Sequence, residues 1–210
     1  MNVAYTAWGP ADAPVLLCCG GVANVAMRFS YLASDLSDRW RVVCMDWLGR
    51  GRSGWLAAEG DYSLATYAEQ IRQMIAHLGD RPVTVLGSSM GGSATIAMMA
   101  KHPGLVERLI LNDVGPHIPA RRRRRRADTI ARHYVFRQPS DLLRKVGASQ
   151  KNDGPVSEDI RFNPPSTRPS GATWRTAAST ATTCAPCRPT AAMPSAACCS
   201  GASGSMWIAR

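Results

Sequence analysis

A chain of 210 residues that is 45% hydrophobic is long enough for one domain with a sizeable core, and does not require two. Its formal charge of +10 comes from 25 basic against 15 acidic side chains; it is concentrated in the run Arg121 to Arg126 and in a tail with no acidic residue after Asp159. No apolar run approaches the ~18 to 20 residues needed to span a bilayer, and "MNVAYTAWGPADAP" lacks the basic start and apolar stretch of a secretory signal, so no membrane partner and a cytoplasmic location are expected.

Up to about Pro119 the chain alternates apolar strand-like runs with helical patterns, which predicts an α/β domain with a parallel sheet flanked by helices. The strands are predicted at "PVLLCC" (14–19), "WRVVCMDW" (40–47), "PVTVLGSS" (82–89) and "VERLILNDV" (106–114). Their near-continuous hydrophobicity fits strands covered on both faces. Between the second and third, Leu64, Tyr67, Ile71, Met74, Ile75 and Leu78 recur at helical spacing, with Ser63 as N-cap and Gly79 as stop. A further helix is predicted from about Met90 to His102, closed by Pro103. Cys18, Cys19 and Cys44 fall in the apolar runs, where cysteine behaves as a small hydrophobe, and no disulfide framework is expected.

From Arg121 to about Ile160 the pattern stays helical while the sheet does not resume. After Phe162 the composition shifts to Ala, Ser, Thr, Pro, Arg, Gly and Cys, with no strand-like run and no helical stripe. Such a segment buries too little apolar surface to offset an ordering cost of roughly 1 to 2 kcal/mol per residue, and disorder is expected. It reads either as a natural low-complexity tail or, the favoured reading, as translation of a GC-rich gene in a shifted frame. The expected organisation is a core over 1–119, a partial helical segment over 120–162 and a disordered tail over 163–210.

The chemistry is carried by Gly87-Ser88-Ser89-Met90-Gly91, which fits G-x-S-x-G between an apolar strand and a helix. A serine on a sharp strand-to-helix turn needs small neighbours, and the helix that follows offers unpaired N–H groups to a developing negative charge. Here the chain resembles the α/β-hydrolase fold family over about residues 12 to 160. "VLLCCGG" is similar to the strand ending in that family's His-Gly oxyanion turn, with Cys19-Gly20 in the histidine's place. "DWLGRGRSGW" (46–55) resembles its D-x-x-G-x-G-x-S segment, and "LILNDVGPHIP" the strand after the nucleophile helix and the entry to the cap. The resemblance implies Ser89 as nucleophile, the Met90 backbone N–H as one oxyanion donor and the Gly21 backbone N–H as the second.

In the family the triad runs in the order Ser, acid, His, with the acid and histidine after later strands that are not readable here. Asp113, at the end of the strand after the elbow, is the available acid, with a turn-capping aspartate as its alternative role. The four histidines are His77, His102, His117 and His133, and the last 77 positions contain none. His117 lies at the right rim but only four residues from Asp113; His77 and His102 are expected on the far side of the sheet, and His133 in the helical segment. A base must come within about 3 Å of the serine oxygen, so the expected consequence is a serine hydrolase impaired by loss of its histidine. Its substrate would be a small molecule, a carboxylic ester or a carbon–carbon bond next to a carbonyl.

Two other readings are carried alongside: a non-catalytic pseudo-hydrolase that binds a small ligand, and an arginine-rich nucleic-acid binder. The run Arg121 to Arg126 lacks an aromatic platform or recognition motif and is read as the solvated start of a cap helix, so nucleic acid is not the expected partner. Cys184-x-x-Cys187 with Cys198-Cys199 has zinc-like spacing but no strand or turn to position it. No metal and no cofactor are expected.

Overall fold

The computed structural model describes residues 2–79, 81–130, 135–141, 144–145 and 173–178. In chain order the strands are β1 (Asn2–Trp8), β2 (Val15–Cys19), β3 (Arg41–Met45), β4 (Val83–Ser88), β5 (Val106–Asn112) and β6 (Thr173–Ala178). The helices are α1 (Ser30–Leu36), α2 (Leu64–His77), α3 (Met90–Lys101) and α4 (Ala120–Ile130). The strand order is β5-β4-β2-β3-β1-β6. Strands β2, β3, β4 and β5 pair in parallel, with Leu17 opposite Val43 and Val85 opposite Leu109.

Side chains alternate across a strand, so an unbroken apolar run supplies two cores at once. Leu17, Cys19, Val43, Met45, Val83 and Val85 face one way, onto Tyr67, Ile71, Met74 and Ile75 of α2 and Ala94 and Met98 of α3. Leu16, Cys18, Val42 and Cys44 face the other way, with Trp8, Ala26 and Ala33. Each fully buried large side chain here stabilises the fold by about 1.5–3 kcal/mol relative to exposure. The four predicted strands and both predicted helices are therefore present, within one or two residues at each end.

Helix α2 starts as its sequence requires: the Ser63 hydroxyl accepts from the Thr66 N–H at 3.2 Å, and Gly79 ends it at φ +114°. Leu64 departs from the predicted stripe and stays 45% exposed.

Three features differ from expectation. Strand β1, which carries no turn signal before it, pairs antiparallel with β3 (Tyr5 opposite Met45), so the sheet is mixed. The segment after Phe162 is not devoid of strand: Thr173–Ala178 pairs antiparallel with β1, Asn2 opposite Ala178. The physical reason is that a sheet edge offers a row of unpaired N–H and C=O groups, and backbone pairing asks little of side chains. Helix α1 also carried no readable signal. The rest of the 131–172 stretch, apart from 135–141 and 144–145, and all of 179–210 lie outside the described residues, as do His133 and the tail cysteines. Among the described residues no helix is long and apolar enough to cross a membrane.

Cys18, Cys19 and Cys44 are free and fully buried. Desolvation pushes the Cys19 and Cys44 thiols well above the ordinary range, with the neighbouring Cys18 adding to it. The raised folded values mean that the unfolded chain ionises first, so these thiols favour the fold below pH ~8.5 and this contribution is lost as pH rises further. Alkylation at pH 8, read by peptide mass, is expected to modify these three positions only after denaturant is added; modification of the native chain would contradict their burial.

At the opposite end of the sheet, β5 is paired on one side only among the described residues, and Ile110 and Leu111 are 50% and 37% exposed on its two faces. An uncovered apolar edge of this kind templates further pairing. Sedimentation velocity is expected to show concentration-dependent self-association; a monodisperse monomer across a wide concentration range would contradict it.

Candidate active site

Ser89 stands between the last residue of β4 and the first of α3, with φ 51° and ψ −114°. A non-glycine residue there carries strain of about 1–3 kcal/mol, tolerated only where the surroundings dictate it. Two contacts dictate it. The Ser89 N–H donates to the Asn112 carbonyl of β5 at 3.0 Å, and the Ser93 N–H closes the first helical turn on the Ser89 carbonyl at 3.2 Å. Beside them the Asn112 amide donates to the Ser88 hydroxyl at 3.2 Å. The Ser89 side chain makes no cap hydrogen bond to its own helix.

The motif glycines are there for contact. A Cβ on Gly87 would lie 2.5 Å from the Gly92 Cα, and one on Gly91 would lie 2.1 Å from the Cys19 carbonyl oxygen. Helix α3 thus rests directly on the end of β2, and the chain leaving β2 passes against the serine. A Cβ built on Gly21 would be 3.6 Å from the Ser89 Cβ. The sequence-assigned trio of Ser89, Met90 and Gly21 is brought together: Met90 opens α3, where backbone N–H groups lack helical partners, and Gly21 faces the serine from the neighbouring loop.

That loop is held from outside by the D-x-x-G-x-G-x-S segment. Asp46 is 2% exposed, and its carboxylate accepts from the Ala26 N–H at 2.6 Å and the Arg52 N–H at 3.0 Å. Its carbonyl oxygen accepts from the Ser53 hydroxyl at 2.8 Å and the Gln70 amide at 2.9 Å. Ser53 in turn accepts from the Ala4 N–H at 2.9 Å, which fastens the segment to β1. A buried carboxylate with these donors is a bracket between two loops. Trp47 and Arg50 also reach this loop, at the Gly20 and Val22 carbonyls. The motif was visible in the sequence; the roles of Asp46, Trp47 and Arg50 were not, because each acts through a partner more than 15 residues away.

The acid and base half is different. Asp113 follows β5 by one residue, exposed and at φ +54°, one strand over from the elbow because Ser88 pairs with Asn112. His77 shares a 3.1 Å hydrogen bond with the Tyr5 hydroxyl, and the two rings meet edge-on at 5.6 Å. His102 caps the C-terminus of α3 at the opposite end of that helix from Ser89, and His117 is exposed on the loop before α4. None of these three histidines hydrogen-bonds Ser89 among the described residues. The run Arg121 to Arg125 is exposed along α4, as a solvated helix start would be.

Comparison with known proteins agrees with this architecture. The family model described as alpha/beta hydrolase fold matches residues 13–193. A 3-hydroxybutyrate-oligomer hydrolase of Cupriavidus necator is 39% identical over 118 residues, 56% of this chain and 40% of that protein. The human serine hydrolase-like protein is 32% identical over 112 residues, 53% of this chain and 55% of its own length. The crystal structure of an alpha/beta hydrolase from Novosphingobium aromaticivorans superposes with a TM-score of 0.62 at 27% identity, over 69% of this chain and 51% of that one. The chain therefore spans about half the length of these relatives. With a match across most of its length and a parallel sheet that delivers a strained serine to a helix N-terminus, the chain belongs to the α/β-hydrolase fold family.

Proposed function

We propose that this chain carries the nucleophile and oxyanion half of a serine hydrolase site that acts on carboxylic esters. Ser89 is the nucleophile, and the backbone N–H groups of Met90 and Gly21 receive the negative charge that develops on the carbonyl oxygen. The observation that carries the reading is the strained Ser89 backbone at the head of α3 with Gly21 packed against its Cβ. Strain of this sort is maintained at functional sites and is costly elsewhere.

An ester is favoured over a carbon–carbon bond because the relative at 39% identity is named for hydrolysis of 3-hydroxybutyrate oligomers, which are joined by ester bonds. Short hydroxyacyl esters are accordingly the proposed substrate class. Asp113 is the proposed acid; support for it is that it follows Asn112, the β5 residue paired with Ser88. No base is assigned: none of His77, His102 and His117 hydrogen-bonds Ser89 among the described residues. Loss of a triad base costs about 10⁴ to 10⁶ in turnover, while the oxyanion hole and binding retain ~10³ to 10⁴ over water. Slow turnover is therefore expected from this chain.

The test is release of 3-hydroxybutyrate from its dimer and trimer by the purified chain beside Ser89→Ala. Slow release that disappears in the variant supports the reading; release that survives the substitution overturns it.

A further inference from the structure

We propose that Trp47 is a positioning residue: its indole N–H sets the orientation of the Gly21 N–H, the second oxyanion donor. This rests on the reading of Gly21 given above. The Trp47 Nε1–H donates to the Gly20 carbonyl oxygen at 3.0 Å in a buried hydrogen bond, from a side chain that is 0% exposed. Gly20 C=O and Gly21 N–H belong to one planar peptide unit, and no cis peptide is present among the described residues. In a trans unit the carbonyl and the N–H point in opposite directions. Fixing the carbonyl toward Trp47 therefore fixes the N–H away from it. Gly21 lies against Ser89, and the other face of the same stretch is closed by α3, where a Cβ on Gly91 would come within 2.8 Å of the Gly20 oxygen.

Trp47 is itself held. Its ring meets the Tyr67 ring edge-on, with centroids 5.1 Å apart at 66°. The Tyr67 hydroxyl accepts from Arg50 Nη1 at 2.7 Å, and the Arg50 guanidinium carbon stands 5.4 Å from the centroid of the same ring. Arg50 Nε then donates to the Val22 carbonyl oxygen. The circuit runs from Gly20 through Trp47, Tyr67 and Arg50 to Val22, and grips the 20–21 and 22–23 peptide units, which flank the unit between Gly21 and Val22. The Asn24 N–H closes the same loop on the Gly21 carbonyl at 3.1 Å. Two side chains three positions apart in one motif thus converge on the residue between their targets, which packing alone does not require. The indole N–H has a polar partner that an apolar ring in its place would leave without a donor.

The full chain supplies the test. Trp47 is replaced by Phe and, by site-specific incorporation, with benzothienylalanine, which keeps the shape of indole and removes only the N–H. Two readouts are taken. One is hydrogen exchange of the Asn24 amide, compared with amides of β2 and β4; the other is the rate at which a fluorophosphonate modifies Ser89. In both variants Asn24 exchange is expected to rise at least about tenfold while the strand amides stay protected. Modification of Ser89 should slow by about tenfold or more, since losing an oxyanion donor outright costs about 10² to 10³. If the chain turns over an ester, kcat falls and KM holds. Unchanged Asn24 exchange in the isosteric variant overturns the proposal, as does unchanged Ser89 modification. A wild-type chain that leaves Ser89 unmodified defeats the hydrolase reading, and the exchange result then decides by itself whether Trp47 holds the loop.

Discussion

Replacing Gly91 with alanine is expected to lower the melting temperature by about 5 to 10 °C, although alanine is the better helix former. Two effects oppose each other. Within a helix, Gly→Ala gains about 1 kcal/mol. At this position the new Cβ would fall 2.1 Å from the Cys19 oxygen, 2.5 Å from the Cys19 carbonyl carbon and 2.8 Å from the Gly20 oxygen. All three are backbone atoms of the central strand and the loop that follows it, so no side chain can swing aside and α3 must lift off β2. Overpacking of a well-filled site costs typically 1–3 kcal/mol and occasionally more; backbone against backbone places this case at or above the upper end, roughly 3 to 4 kcal/mol. The net of about 2 to 3 kcal/mol, at roughly 2–4 °C per kcal/mol for a chain of this size, gives the expected shift. Gly60→Ala is the control, because nothing lies within 4 Å of a Cβ added there. Thermal denaturation followed by circular dichroism separates the two; equal melting of Gly91→Ala and wild type would contradict the packing of α3 on β2.

The second large effect is at Ser89, where function and stability are expected to move in opposite directions. Ser89→Ala removes the hydroxyl and should abolish Ser89-dependent ester cleavage while leaving the strained φ of 51° in place, so its melting temperature should stay near wild type. Ser89→Gly removes the hydroxyl and also the Cβ that makes this backbone costly. Relief of about 1–3 kcal/mol of strain, set against the extra entropy of a glycine in the unfolded chain, roughly 0.5–1 kcal/mol, leaves a net gain near 1 kcal/mol. The glycine variant should therefore be inactive and melt roughly 2–4 °C higher. A glycine variant no more stable than the alanine variant would show that the elbow is unstrained.

Much of this could be read from the residues because each rule involved is local. The runs at 14–19, 40–47, 82–89 and 106–114 are bounded by turns and have the hydrophobicity of doubly covered strands. Ser63 and Gly79 bracket α2 by capping chemistry that needs no tertiary partner. The elbow was legible for the same reason: its glycines are spaced by the contact between one strand and the helix that follows it.

What escaped depends on contacts far apart in sequence. Strand β1 mixes Tyr5 and Trp8 with Thr6 and Ala7, all buried; Tyr5 and Ala7 join one core and Trp8 the other, a partition that only the fold shows. No turn signal precedes it. Thr173–Ala178 sits in a compositionally poor segment and is placed by pairing with the β1 edge. The bracket around the loop after β2 joins Asp46 to Ala26, Trp47 to Gly20 and Arg50 to Val22, partners 20, 27 and 28 residues apart. A motif at 46–53 advertises that something is fixed there; only the fold shows which loop is being fixed.

Whether Ser89 is a nucleophile facing backbone donors is decided by prolonged incubation of the full chain with a fluorophosphonate, followed by peptide mass mapping. Slow formation of a single adduct is expected on the peptide that carries Ser89, absent from Ser89→Ala. No adduct, or one elsewhere that survives the substitution, would contradict that role.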